Sequence, residues 1–147
     1  MSMRPTHFLL VEDDPAHAEL IQIVMEENAV ANTIDHVVDG EQAIKYLNAE
    51  PPYENRVRPD LVLLDIRIPK IDGHEVLKYI KMNDSFQSIP VVMMTTSGAE
   101  TDRIRAYEHR ANSYLVKPVD FAQFHKMVKD LQLYWSVWNF PPVAQPV

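Results

Sequence analysis

Apolar residues fall along this chain in short unbroken runs, and the stretches between them carry a three-to-four residue beat. His7-Phe-Leu-Leu-Val11 is one such run, and it leads straight into Glu12, Asp13 and Asp14. Leu61 to Leu64, entered through Pro59-Asp60 and closed by Asp65, is another; an unbroken apolar run of this length reads as a strand covered on both faces, as in the middle of a parallel sheet. Pro90-Val-Val-Met-Met-Thr95 and Asn112-Ser-Tyr-Leu-Val-Lys117 follow the same pattern, the latter cut off by Pro118. Thr33 to Val38 alternates weakly and adds a strand stopped by Asp39-Gly40.

Between the runs the spacing predicts helices. Asp14-Pro15 is an N-cap and first-turn pair, and Leu20, Ile21 and Val24 mark a buried face continuing to about Asn28. Ala43, Ile44 and Leu47 define a helix from Glu41 to about Ala49, and Val76, Leu77 and Ile80 one from about Gly73 to Met82. A fourth runs from about Glu100 to His109. Asp120 caps the last, predicted as one helix to Trp138, with Phe121, Phe124, Val128, Leu131, Trp135 and Trp138 facing inward. Pro51 to Pro59 has no periodicity and is a long polar loop. Strands alternating strictly with helices argue for an α/β fold with a doubly wound five-stranded parallel sheet and helices on both faces.

A length of 147 residues leaves room for one domain of ordinary size. The net charge of −7 disfavours a nucleic-acid surface, which needs clustered Lys and Arg. Without Cys there are no disulfides, thiolate chemistry or zinc-finger sites. No apolar stretch approaches the roughly 20 residues that cross a bilayer, and a cytoplasmic location away from membranes is expected. With only Gly40, Gly73 and Gly98, a glycine-rich phosphate loop cannot be written anywhere.

The strand ends carry the chemistry. Glu12 and Asp13, Asp65, Thr95 and Lys117 each close a strand, and in a parallel sheet those ends share one edge, where α/β folds keep their sites. Clustered carboxylates raise one another's pKa unless a hard cation sits among them. Mg2+ suits such a site, since it takes carboxylate oxygens, keeps several waters and accepts a phosphate oxygen. Asp65 is then an ionised nucleophile facing a phosphoryl group, with Lys117 and the Thr95 hydroxyl on the other oxygens.

With LLVEDD at 9–14, LLDIRIPKIDG at 63–73, MMTTS at 93–97 and YLVKP at 114–118, the chain resembles the receiver domain of two-component response regulators over about Thr6 to Leu133. The resemblance implies a flavodoxin-like (βα)5 fold of strand order 2-1-3-4-5, a receiver domain over 6–133 and an aromatic, Pro-rich extension over 134–147. It implies Asp65 as phosphoacceptor, Asp13 and Asp65 as Mg2+ ligands, Glu12 acting on the metal through water, and the Arg67 backbone carbonyl as a further ligand. Thr95 would be the switch hydroxyl, Tyr114 the aromatic that moves with it, and Lys117 the cation on the phosphate. YEN at 53–55, RP at 58–59, PKIDGHEVL at 69–77 and the aromatic tail are similar to small stand-alone regulators paired with phytochrome-type histidine kinases. The function so implied is acceptance of a phosphoryl group from a sensor histidine kinase and its slow loss, with no turnover of a small substrate. No output domain follows in the sequence, so the signal would pass through protein contacts.

Simpler roles compete at several positions. Asp14 reads as a helix cap, Asp72 as a turn residue ahead of Gly73, and the six His as surface or core residues without metal-ligand spacing. Glu12 stands where the family commonly has Asp. Arg67, two residues past the nucleophile, is expected to slow hydrolysis by bulk and charge. A predicted last helix of roughly 28 Å is longer than one edge of the sheet requires. Its second stripe, Met127, Tyr134 and Val137, extends through Phe140-Pro-Pro-Val143, and a homodimer is expected through Leu131, Tyr134, Trp135, Trp138 and Phe140. Two rival functions also fit the sequence. One is a Mg2+-dependent phosphatase with an aspartyl nucleophile, which would need an acid where Arg67 stands; the other is a receiver-shaped module that is never phosphorylated.

Overall fold

The computed structural model describes residues 5–27 and 32–140. Strands β1 (Thr6–Val11), β2 (Asn32–Val37), β3 (Leu61–Leu64), β4 (Val91–Thr95) and β5 (Ser113–Val116) form one sheet in the order β2-β1-β3-β4-β5, with every pairing parallel. Helices α1 (Pro15–Glu27), α2 (Gly40–Leu47), α3 (Gly73–Lys81), α4 (Glu100–Glu108) and α5 (Phe121–Leu133) lie between and after the strands. This is the doubly wound arrangement that the alternation of patterns predicts. The expected end of α1 at Asn28, and the part of the tail beyond Phe140, lie outside the described residues.

Alternate strand residues feed opposite faces of the sheet. Leu9, Val11, Val62, Leu64, Val91 and Met93 pack with Ala43, Tyr46 and Leu47 of α2, Val76, Leu77 and Ile80 of α3 and Ala106 of α4. Phe8, Leu10, Leu61, Leu63, Val92 and Met94 pack with Ile21 and Val24 of α1 and Phe124, Val128 and Leu131 of α5. Because β3 is buried along its whole length, Asp65 is the first polar side chain its path allows. Helices α2, α3 and α5 start on side-chain caps: Asp39 Oδ1 accepts from Gln42 N at 2.7 Å, Asp72 Oδ1 from Glu75 N at 3.0 Å, and Asp120 Oδ1 from Ala122 N at 2.7 Å. Asp72, expected as a turn residue, is therefore also the cap of α3. The loop over 51–59 has a packing role: Arg56 donates to the carbonyls of Tyr46 and Leu47 at the end of α2, and Tyr53 stacks obliquely on Tyr46.

The last helix departs from expectation. Its α-helical part stops at Leu133, and Tyr134–Trp138 is a π-helical turn closed by Asn139 N donating to Tyr134 O at 2.7 Å. The wider turn rotates later residues off the apolar stripe. Trp135 remains half-buried against the core, whereas Trp138 is 76% exposed. Phe121, also expected inward, is exposed because it stands in the first position after the cap, beyond the cover of the sheet. Leu131, expected at a contact between copies, is instead buried with Phe124 and Val128 in the core. Among the described residues no helix is long and apolar enough to cross a membrane.

Candidate functional site at the carboxyl edge of the sheet

Two neighbouring strands deliver the acids. Val11 and Leu64 are register partners, so Glu12 and Asp65 step off β1 and β3 side by side, each with its backbone N–H still held by the next strand: Glu12 N to Val37 O and Asp65 N to Val11 O, both at 3.1 Å. His36 Nε2 lies 2.7 Å from the Glu12 carbonyl and pins this turn to β2. Gly73 lets α3 start directly beneath the site. A Cβ there would meet the Asp65 carbonyl oxygen at 2.2 Å, so a larger residue would push the helix or the acid away.

Lys117 arrives from β5, its backbone N–H donating to Thr95 O at 2.7 Å. Its ammonium donates to Glu12 Oε1, to Asp65 Oδ2 at 2.9 Å and to His17 Nδ1 at 3.0 Å, which occupies all its donors. Acceptance by His17 Nδ1 assigns the ring proton to Nε2. Lys117 and Glu12 are each only 2% exposed at the side chain, and Asp65 10%. Burial pushes the Glu12 carboxyl up to about 7, against the pull of Lys117. Asp13 is exposed and opens the cluster to solvent. One carboxylate oxygen from each of Glu12, Asp13 and Asp65 lies within 4.8 Å of the others. Three acids facing one buried cation leave an excess of negative charge, and an all-oxygen donor set of this size fits a hard divalent cation. Asp14 turns away from the cluster, its Oδ1 accepting from Ala16 N at 2.9 Å and His17 N at 3.2 Å as the cap of α1.

Thr95 is fully buried at the end of β4, with its Oγ1 accepting from Ser97 N at 3.2 Å. Tyr114, half-buried on β5, reaches the same loop and donates to the Ser97 carbonyl at 2.8 Å. Arg67 has its backbone N–H 3.4 Å from Asp65 Oδ1, while its exposed guanidinium extends to Asp102 Oδ2 at 3.5 Å. Asp102 also accepts from Ser97 Oγ at 2.6 Å and lies 3.1 Å from Nε2 of the buried His74. The hydrogen bonds from Ser97 and then His74 hold its carboxyl below the usual range, with Arg67 adding a smaller pull.

All of Glu12, Asp13, Asp65 and Lys117 thus meet at one edge, with Thr95, Tyr114 and Arg67 linked through the adjoining loop. The aromatic residues at the far end of α5 are remote from this edge, since they follow the helix's carboxyl end. Two participants escape sequence reasoning. His17 could have been flagged only by its place one turn after Asp13 on α1, and Asp102 only by its place in the first turn of α4, seven positions after Thr95.

Comparison with known proteins agrees with this fold. Residues 8–129 match the response regulator receiver domain family. The chain is 43% identical over 94% of its length to the probable methanogenesis regulatory protein FilR2 of Methanothrix harundinacea, covering 88% of that protein. It is 40% identical to the response regulator Rcp1 of Synechocystis, covering 89% of each chain. The crystal structure of Mn2+-bound Rcp1 superposes with a TM-score of 0.91 at 39% identity, over 95% of this chain and 100% of that one. The phosphorylated cyanobacterial phytochrome response regulator RcpA gives the same TM-score at 37% identity, over 95% and 99%. The chain belongs to the response regulator receiver domain family.

Proposed function

We propose that this protein receives a phosphoryl group from the phosphohistidine of a sensor histidine kinase on Asp65, and passes the signal on through protein contacts. An Asp65 oxygen forms the new O–P bond as the N–P bond of the phosphohistidine breaks, and the imidazole leaves with the bonding pair. The observation that carries this reading is the buried Lys117 ammonium shared between Asp65 and Glu12, in a cluster whose acids outnumber it. Lys117 would hold an equatorial phosphoryl oxygen, and the Thr95 hydroxyl would exchange its Ser97 contact for another. Tyr114 would follow the Ser97 carbonyl as that loop moves. Asp13, Asp65 and the Arg67 carbonyl would hold Mg2+, with Glu12 acting through water. The ion would supply charge neutralisation and a ligand site for a phosphoryl oxygen.

Two finer assignments rest on the relatives and the surface. The likeness to Rcp1 and to RcpA, a phytochrome response regulator, favours a phytochrome-type kinase as donor. Exposed Tyr134, Trp138 and Phe140, with Trp135 half-covered, favour a homodimer through the extension that begins at 134. Ile104, Tyr107 and Val116 add exposed apolar surface on α4 and β5, which suits a face that changes partners.

Incubation with acetyl phosphate and Mg2+, followed by intact-mass measurement, tests the reading. A gain of one phosphoryl group that vanishes in Asp65→Asn is expected. No gain, or a gain that survives the substitution, would overturn it. Light scattering giving a monomer at micromolar concentration, with and without phosphorylation, would remove the dimer.

A further inference from the structure

Asp102 ties together three segments that the sequence keeps apart. Its Oδ2 takes the Ser97 hydroxyl at 2.6 Å and lies 3.5 Å from the Arg67 guanidinium, and its Oδ1 lies 3.1 Å from Nε2 of His74. The carboxylate side chain is 19% exposed and His74 only 2%, so the inner half of this arrangement is dry and the Arg67 half is wet. Among the described residues Nδ1 of His74 has no hydrogen-bond partner, which leaves Asp102 as the one polar contact there that orients the ring. α4 needs such an anchor. It buries only Ala106, and Ala99 at its N-cap offers no side-chain bond to the first turn.

Arg67 is the movable member. It starts two residues past Asp65, with its own N–H beside an Asp65 oxygen, and its side chain is 73% exposed. A guanidinium can fork to one carboxylate or one phosphoryl group at a time. A phosphoryl group on Asp65 would bring a second, more highly charged anion within the same arm's radius. Asp102 and that group then compete for a single cation.

Resting on the reading of Asp65 as phosphoacceptor, we propose that Asp102 is a positioning residue of the site: it parks Arg67 against the first turn of α4, in competition with the phosphoryl group. When Arg67 crosses to the phosphoryl oxygens it shields them from water and leaves Asp102 to His74 and Ser97. The lifetime of the phosphorylated form is thereby linked to how α4 is fastened. Removing the competing charge raises Arg67 occupancy at the phosphoryl group by mass action, so loss of Asp102 lengthens that lifetime.

The test is a double-substitution cycle on the decay of the phosphorylated protein, followed by intact mass after removal of acetyl phosphate. Asp102→Asn keeps an oxygen for His74 or Ser97 and removes the charge. It should slow decay roughly two- to five-fold, the size that the coupling of a solvent-exposed ion pair produces. Arg67→Ala should speed decay, and adding Asp102→Asn to Arg67→Ala should change nothing further. An equal change in both backgrounds would show that Asp102 acts through the loop and not through Arg67, and would overturn the proposal. So would an unchanged or faster decay in the single Asp102→Asn variant. If the wild type takes up no phosphoryl group, it is the reading of Asp65 that fails, and the two failures are told apart at the first measurement.

Discussion

At the amino edge of the sheet the buried His7, Tyr46 and Lys81 form polar networks reaching exposed Thr33 and Asp35, and these are arranged differently from buried Glu12, Asp65, Thr95 and Lys117 at the carboxyl edge. His7 lies 2.6 Å from Thr33 Oγ1 through Nδ1 and 2.7 Å from the Tyr46 hydroxyl through Nε2, and Tyr46 donates to Asp35 at 2.6 Å. Lys81 Nζ donates to Gln87 O at 3.2 Å, Ile89 O at 2.8 Å and Asn112 Oδ1 at 3.1 Å, one acceptor for each of its protons. There the donors and acceptors match, and the acid in the network, Asp35, is half in water. At the carboxyl edge the donors also match, yet three acids face one ammonium and the least buried of them points at solvent. Matched polar burial holds elements together; an uncompensated charge at an open mouth calls for a ligand.

Substitutions at the amino edge should therefore cost stability and leave phosphorylation alone. The largest effect is expected from Lys81→Met, which takes the ammonium donor from Gln87 O and Ile89 O and leaves Asn112 Oδ1 with Val91 N alone, at the junction of α3, the loop after it and β5. A loss of about 2–4 kcal/mol in urea or thermal unfolding follows from orphaning buried acceptors. Its pH dependence gives a second readout. Burial pulls the Lys81 amine down to about 8 from 10.5, so the unfolded chain binds that proton more tightly. Stability contributed by this group rises with pH between about 8 and 10.5, and the rise should be absent from Lys81→Met. Tyr46→Phe should cost about 1–2 kcal/mol, because His7 and Asp35 lose the hydroxyl between them. A change in phosphoryl uptake in either variant, with the fold intact, would break the distinction between the two edges.

How much of this could be read beforehand depends on whether the information is local. The strands were legible because Leu61 to Leu64 and Val91 to Met94 are apolar without interruption, and strict alternation with helices fixed the parallel order of ends. That order alone places Glu12, Asp13, Asp65 and Lys117 on one edge. The turn at Tyr134–Trp138 was not legible, since a three-then-four spacing is what a regular helix would also show; a π turn adds about one residue per turn, and only the backbone reveals it. His17 and Asp102 were missed for another reason. Lys117 and His17 are 100 positions apart, and Asp102 and His74 are 28 apart, so their pairing depends on how helices settle against loops and leaves no periodic trace. Lys81 was hidden in the same way, because a lysine at a helix end ordinarily points to water.

The smallest effect is the sharpest test of the charge argument. Asp13 is exposed, makes no hydrogen bond to any described residue, and contributes an oxygen within 4.8 Å of those from Glu12 and Asp65. In the metal-free protein it acts mainly as a like charge, so Asp13→Asn should raise stability, by about 0.3–1 kcal/mol given the screening of exposed charges. Added Mg2+ should stabilise the wild type in proportion to ligand binding, and stabilise Asp13→Asn much less at the same concentration. Parallel melts with and without Mg2+ separate the two contributions. If Asp13→Asn lowers the metal-free melting temperature, Asp13 is a structural partner like those at the other edge; if the Mg2+ increment is unchanged, the ion does not need its carboxylate. The sign of a few tenths of a kcal/mol thus decides whether the carboxyl edge is held together by its polar groups or held open by them until a cation arrives.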